Sequence, residues 1–196
     1  LNASGDINLT GTVGSLDRTT ITAGGDLNIA TIQNTQSVTL TATGTAVIDT
    51  LNTATEGAII TGTSVRLNNG TIAAGLTLNA TTIDGVGDDT VTVGGVADFN
   101  ATGDINFESF TAGTGFDIDS TAGNISFTAA NTRSGNITID ATMGEITGEV
   151  IRGGLDGSDN GNDFIVLNAS GDINLTGTVG SLDRTTITAG GDLNIA

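Results

Sequence analysis

A small residue flanked by alternating apolar and polar positions recurs along this chain about every twenty residues, and that interval leaves few folds open. The segments read LNASGDINL from Leu1, ITAGGDLNI from Ile21, LTATGTAVI from Leu40, IITGTSVRL from Ile59 and LNATTIDGV from Leu78. They continue as FNATGDINF from Phe99, IDSTAGNISF from Ile118, IDATMGEIT from Ile139, and LNASGDINL again from Leu167. The small residue falls at Ala3, Ala23, Ala42, Gly62, Ala80, Ala101, Ser120, Ala141 and Ala169, in steps of 20, 19, 20, 18, 21, 19, 21 and 28. Residues 1–30 and 167–196 are identical letter for letter. The chain therefore reads as one long repeat unit of eight coils, 1–166, followed by 167–196, the start of the next identical repeat.

Inside each step the period is two. Val38, Leu40 and Ala42 alternate with Thr39 and Thr41, and Phe116, Ile118, Ser120 and Ile137, Ile139, Ala141 repeat the scheme, which is the pattern of a strand with one buried face. A Gly–polar corner follows, as in Gly5-Asp6, Gly25-Asp26, Gly103-Asp104 and Gly123-Asn124, where a positive φ is expected of the glycine. A second short strand then begins, with Ile7 and Leu9 inward. A third apolar column is expected at Ile32, Leu51, Ile72, Val91, Phe110, Ala130 and Ile151. Three inward strands per step make a three-sided coil. One coil buries only six or seven apolar side chains, each contributing about 1.5–3 kcal/mol, against roughly 1–2 kcal/mol to order each of about twenty residues. It is stable only when stacked. Helical periodicity is absent, and Thr, Val, Ile and Gly favour strands and turns. The predicted fold is all-β: a three-sided parallel β-helix, or β-solenoid, of about 20 residues per coil. Among the aromatic residues, Phe107 and Phe127 stand one step apart and are expected to stack.

The steps reading GDINL, AGNISF and SGNITID resemble the β-helical shafts of filamentous-haemagglutinin-type adhesins and related giant bacterial surface proteins. The resemblance covers nearly the whole chain and is architectural. It implies a right-handed helix, export to the extracellular surface, and a role as stalk, fibre or adhesin. No catalytic residue is carried over.

Composition narrows the chemistry. The chain has no Cys, Pro, His, Trp or Tyr, and its basic residues are five arginines. Thiol, amine and imidazole catalysis are therefore missing, and an enzyme is not expected. Twenty-two acidic residues give a net charge of −17, which repels nucleic acid and anionic lipid. The absence of Cys suits export through an oxidising compartment. No apolar run reaches the roughly eighteen residues of a membrane span. Neither terminus carries a capping element, so continuation in both directions or end-to-end stacking of chains is expected. Self-association, a surface receptor or a glycan are the expected partners.

Two groups of acidic residues raise a Ca²⁺ question. Asp104, Asn124, Glu145, Asp172 and Asp192 align at one corner, so carboxylates stack about 4.8 Å apart; the alternatives are a Ca²⁺ ladder or a solvated turn. GGLDGSDNGND, residues 153–163, fills the long step with Asp156, Asp159, Asp163, Asn160 and Asn162, read either as a hard-oxygen cation site or as a surface excursion that suits lateral contacts between fibres. DGVGDDTVT, residues 84–92, resembles a single Ca²⁺-binding nonapeptide of RTX proteins, a motif that works in tandem. Asn-x-Ser/Thr occurs at Asn2, Asn8, Asn69, Asn79, Asn100, Asn124, Asn136, Asn168 and Asn174; glycosylation and plain Asn/Thr stacking both account for it. Asp117 with Asp119, or Asp88 with Asp89, are the acid pairs that suggest sugar hydrolysis or lyase chemistry.

Overall fold

A computed structural model describes residues 1–34, 36–86, 91–157 and 163–196. Among these residues twenty strands form one continuous sheet, every pairing described in it is parallel, and partners lie one coil apart in sequence. The chain is a β-solenoid of about nine turns.

Three faces carry three columns of inward residues. On the first, Ala3 pairs with Ala23, Ala23 with Ala42, Gly62 with Ala80, Ala80 with Ala101, Ala101 with Ser120, Ser120 with Ala141, and Ala141 with Ala169. The column expected from the small residues is therefore the observed one, and the 28-residue step keeps register. On the second face Ile7, Leu27, Ala46, Val65, Ile83, Ile105, Ile125, Ile146, Ile173 and Leu193 follow one another. On the third the order is Val13, Ile32, Leu51, Gly70, Val91, Phe110, Ala130, Ile151 and Val179.

Two expectations about these columns need correction. Ile72, expected in line with Leu51 and Val91, pairs instead with Thr53 and Val93 and belongs to the next inward row. The position in line is Gly70, where a β-carbon would come 2.5 Å from the Leu51 carbonyl oxygen. Apolar pattern alone passes over a glycine there. The corner glycines also differ: positive φ occurs at Gly85, Gly135, Gly154 and Gly157, not at Gly5, Gly25, Gly103 or Gly123. At Gly25, Gly103 and Gly123 the reason for glycine is close approach between coils, while nothing lies within 4 Å of Gly5.

The core runs the length of the stack. Phe99 is buried at its aromatic centre, edge-on to Phe107, Phe110 and Phe116 at centroid distances of 6.0, 5.1 and 5.3 Å. Phe107 and Phe127 stack at 5.2 Å with ring planes 13° apart, as their one-step spacing predicts. Gly148 occupies the next step of that column, and a side chain there would collide with the Phe127 ring. Hydroxyls that replace apolar groups in inward rows are bonded, as buried polar groups must be. Thr53 Oγ1 donates to the Glu56 carbonyl at 2.6 Å and accepts the Ala73 N–H at 3.0 Å. Ser120 Oγ accepts the Gly123 N–H at 3.0 Å.

Candidate functional site

At the corner between the first two faces, backbone N–H groups turn outward and lose their ladder partners. The side chain of the preceding coil supplies the acceptor. Asp6 Oδ1 accepts the Asp26 N–H at 2.9 Å, and Asp26 Oδ1 accepts that of Thr45 at 2.8 Å. Asp104 Oδ1 accepts from Asn124 at 2.8 Å, Asn124 Oδ1 from Glu145 at 3.0 Å, and Asp172 Oδ1 from Asp192 at 2.7 Å. Each acceptor lies where the next coil would place a β-carbon: a side chain at Gly25, Gly44 or Gly191 would collide with the carboxylate of Asp6, Asp26 or Asp172. The Gly–Asp dipeptide is thus a two-coil device, with the aspartate reaching up and the glycine making room for the one below. A charged acceptor strengthens such a bond, while Asn124 shows that a neutral amide oxygen also serves. Among the described residues no group of three or more acidic side chains is placed to hold a metal ion; Glu145, Asp172 and Asp192 follow one another along this corner.

The 153–163 excursion turns on Gly154 and Gly157, with φ of +74° and +73°. Asp159, Asn160 and Asn162 lie outside the described residues. Asp156 is exposed and its N–H donates to the Arg133 carbonyl at 3.0 Å. Asp163 is fully buried. Its Oδ1 accepts the N–H of Gly135 at 2.8 Å, which holds that residue's positive φ, and its Oδ2 has no partner among the described residues. Asp156 and Asp163 bond back to the stack, and Gly154 and Asp163 also meet the coil above. Leu182 lies over Gly154, where a β-carbon would come 2.8 Å from its Cδ1. The Asp163 N–H donates to Asp183 Oδ2 at 2.8 Å, and the Arg184 guanidinium sits 5.1 Å above the centre of the Phe164 ring. Sequence reasoning misses this role because the loop's composition suggests only solvent or a cation.

Of the remaining candidates, Gly87–Thr90, including Asp88 and Asp89, lie outside the described residues. Asp117 and Asp119 stand on the outer surface of the first face, with Asp98 stacked on Asp117 and Asp140 on Asp119. Partial desolvation raises the pKa of both; Asp119, Asp98 and Asp140 add to this for Asp117, and Asp140 and Asp98 for Asp119. Asn side chains bond along the stack, Asn194 Nδ2 to Asn174 Oδ1 at 2.8 Å and Asn100 Nδ2 to Asn79 Oδ1 at 3.4 Å. A groove of about 630 Å³ is lined, among the described residues, by Leu16, Gln33, Asn52, Thr53 and Thr71 together with Gly14, Ser15 and Ala54, none of them ionisable.

The two identical thirty-residue copies sit in different surroundings, and the difference isolates what a neighbouring coil does. Gly190 and Gly191 meet the same backbone and carboxylate atoms as Gly24 and Gly25, so each copy folds alike internally. Gly171 would place a β-carbon 2.8 Å from Glu145 Cγ and Gly177 one 2.5 Å from the Glu149 carbonyl oxygen, whereas their equivalents Gly5 and Gly11 have nothing within 4 Å. Leu167 is fully buried and Leu1 is 67% exposed; Leu193 is 48% exposed and its equivalent Leu27 is fully buried. The first copy is covered only from above, the second only from below. No protein-family model matches the chain, and neither a curated protein nor a solved structure matches it.

Proposed function

We propose that the chain is a segment of a structural extracellular filament, a β-solenoid of tandem 166-residue repeats serving adhesion or coating of a cell surface. One observation carries the reading. Gly5 and Gly11 have no steric reason in their own surroundings to be glycine, and the same residues in the second copy, Gly171 and Gly177, are hemmed in by Glu145 and Glu149 of the coil beneath. A preceding repeat would supply those atoms to the first copy. The high acidic charge, −17, and the absence of Cys support life outside the cell, and repeated stacking of coils suits a shaft.

The test is to join a second 166-residue unit through the shared thirty residues and measure particle length. Eight further coils at about 4.8 Å each lengthen the rod by about 38 Å at constant width; a thicker particle of unchanged length rejects the reading. Protease accessibility on intact producing cells tests the surface location. A Ca²⁺-dependent adhesive module is a second reading, supported by the buried Oδ2 of Asp163, which has no partner among the described residues. Calcium titration that raises the melting temperature, with loss of the effect on Asp163→Asn, favours it.

A further inference from the structure

We propose that the lower rim of the first coil, Leu16, Asp17 and Arg18, is a docking surface for Gly153, Gly154, Asp163 and Phe164 of a second copy of this chain, occupied by exchange. In this exchange the first thirty residues of one molecule displace the last thirty of another. The inference rests on the repeat reading above and goes further, to a contact between separate molecules.

The mode of docking is present within one chain. Leu182, Asp183 and Arg184 are the counterparts of Leu16, Asp17 and Arg18 in the second copy, and they meet Gly154, the Asp163 N–H and the Phe164 ring respectively. The Gly153 N–H adds a bond to the Gly180 carbonyl at 3.0 Å. In the first copy Leu16 is 87% exposed, against 45% for Leu182, and the Asp17 N–H is turned back to Ser15 Oγ at 3.1 Å. An apolar side chain, an acceptor and a cation are therefore displayed in an order whose complement exists on every copy of the molecule.

That complement is occupied in each chain by residues 167–196, so access requires their release. The exchange is close to balanced because the incoming thirty residues are identical to the outgoing ones and make the same contacts with residues 137–154 and 163–165. The incoming copy is better held: its Leu27 is covered by the coil above, while the outgoing Leu193 is half exposed. What is lost is the internal pairing of the outgoing turn, Ile173 with Leu193 and Leu175 with Ile195, against the conformational freedom its residues regain. The interface is head-to-tail and leaves the acceptor's own first coil free, so it propagates as an open linear chain.

Because the copies are identical, the same substitutions have opposite effects in the two positions. Leu16→Ser with Asp17→Ala changes exposed residues, leaves the monomer's melting temperature unaltered, and weakens self-association about tenfold or more, read by sedimentation across a concentration series. Leu182→Ser with Asp183→Ala loosens the resident segment and strengthens association by a similar factor. Leu193→Ser, at the upper face, also strengthens it or leaves it unchanged. If Leu193→Ser abolishes association, the molecules stack end on end without exchange and the inference is overturned. Equal effects from the two double variants, or a monomer throughout the series for the native chain and the Leu182/Asp183 variant, overturn it as well. A two-repeat protein that lengthens as expected while none of these variants alters association sinks the exchange alone.

Discussion

Gly123→Ala is the sharpest perturbation of the corner. A β-carbon there would overlap the carbonyl carbon of Gly103 and the amide of Asp104, and would lie 2.7 Å from Asp104 Oδ1. The overlapped atoms are backbone, so the coils must part locally. Three bonds cross or close this corner: Asn124 N–H to Asp104 Oδ1 at 2.8 Å, Ile105 N–H to the Asn124 carbonyl at 2.9 Å, and Gly123 N–H to Ser120 Oγ at 3.0 Å. Losing two of them costs about 2 kcal/mol, and forcing a methyl into packed surroundings adds about 1–3 kcal/mol. The expected destabilisation is about 3–5 kcal/mol, measured by urea titration followed by circular dichroism. Gly5→Ala at the equivalent corner of the first coil is the control. Nothing lies within 4 Å of it and its φ is not positive, so its stability stays level or rises by about 0.4–1 kcal/mol through the unfolded chain. Equal losses in the two variants would mean that backbone conformation, not contact between coils, selects glycine, and the account of the corner would be wrong.

Further expectations concern the ladder, the core and the outer acids. Asp104→Asn keeps an acceptor for the Asn124 N–H and leaves stability within about 0.5 kcal/mol, whereas Asp104→Ala loses about 1 kcal/mol; a Ca²⁺ ladder would instead make the Asn variant insensitive to calcium while the native chain is stabilised by it. Phe99→Ala opens a cavity between three other rings and costs about 3–5 kcal/mol, seen as early loss of amide protection in the neighbouring coils. Asp117 and Asp119 have raised pKa values in the folded chain, so the folded state binds their protons more readily than the unfolded one. Their contribution is fully present below the ordinary value of 3.8 and is lost as pH rises through the folded values. The double variant Asp117→Asn, Asp119→Asn is therefore more stable than the native chain at pH 7, and the advantage shrinks toward pH 4; a difference independent of pH refutes the assignment.

Much of this architecture can be read in one dimension because a solenoid's contacts repeat at a nearly constant separation in sequence. Ala3, Ala23 and Ala42 identify a column by their spacing, and Phe107 over Phe127 follows from the same interval. Legibility fails where a residue's reason lies in its neighbour coil and hydropathy carries no signal of it. Gly70 holds the column position that hydropathy assigns to Ile72. At the Gly–Asp corners local propensity points to a positive φ and to solvent, whereas each residue is half of a contact between coils. Composition groups Asp163 with Asp156 and Asp159, yet Asp163 is buried on the Gly135 N–H and Asp156 is exposed.

Alternation decides which face is inward and the interval decides which residues lie one above another, so the stacked, three-sided winding, its length per coil and the 166-residue separation of the identical segments are written along the chain. What the polar residues do is set by packing between coils, because a carboxylate at a turn can face water, a cation or an amide with equal ease until the next coil is in place. The same distinction separates the two identical copies: thirty residues fold alike in both, and the presence of a coil below or above is what buries Leu167 while leaving Leu1 open.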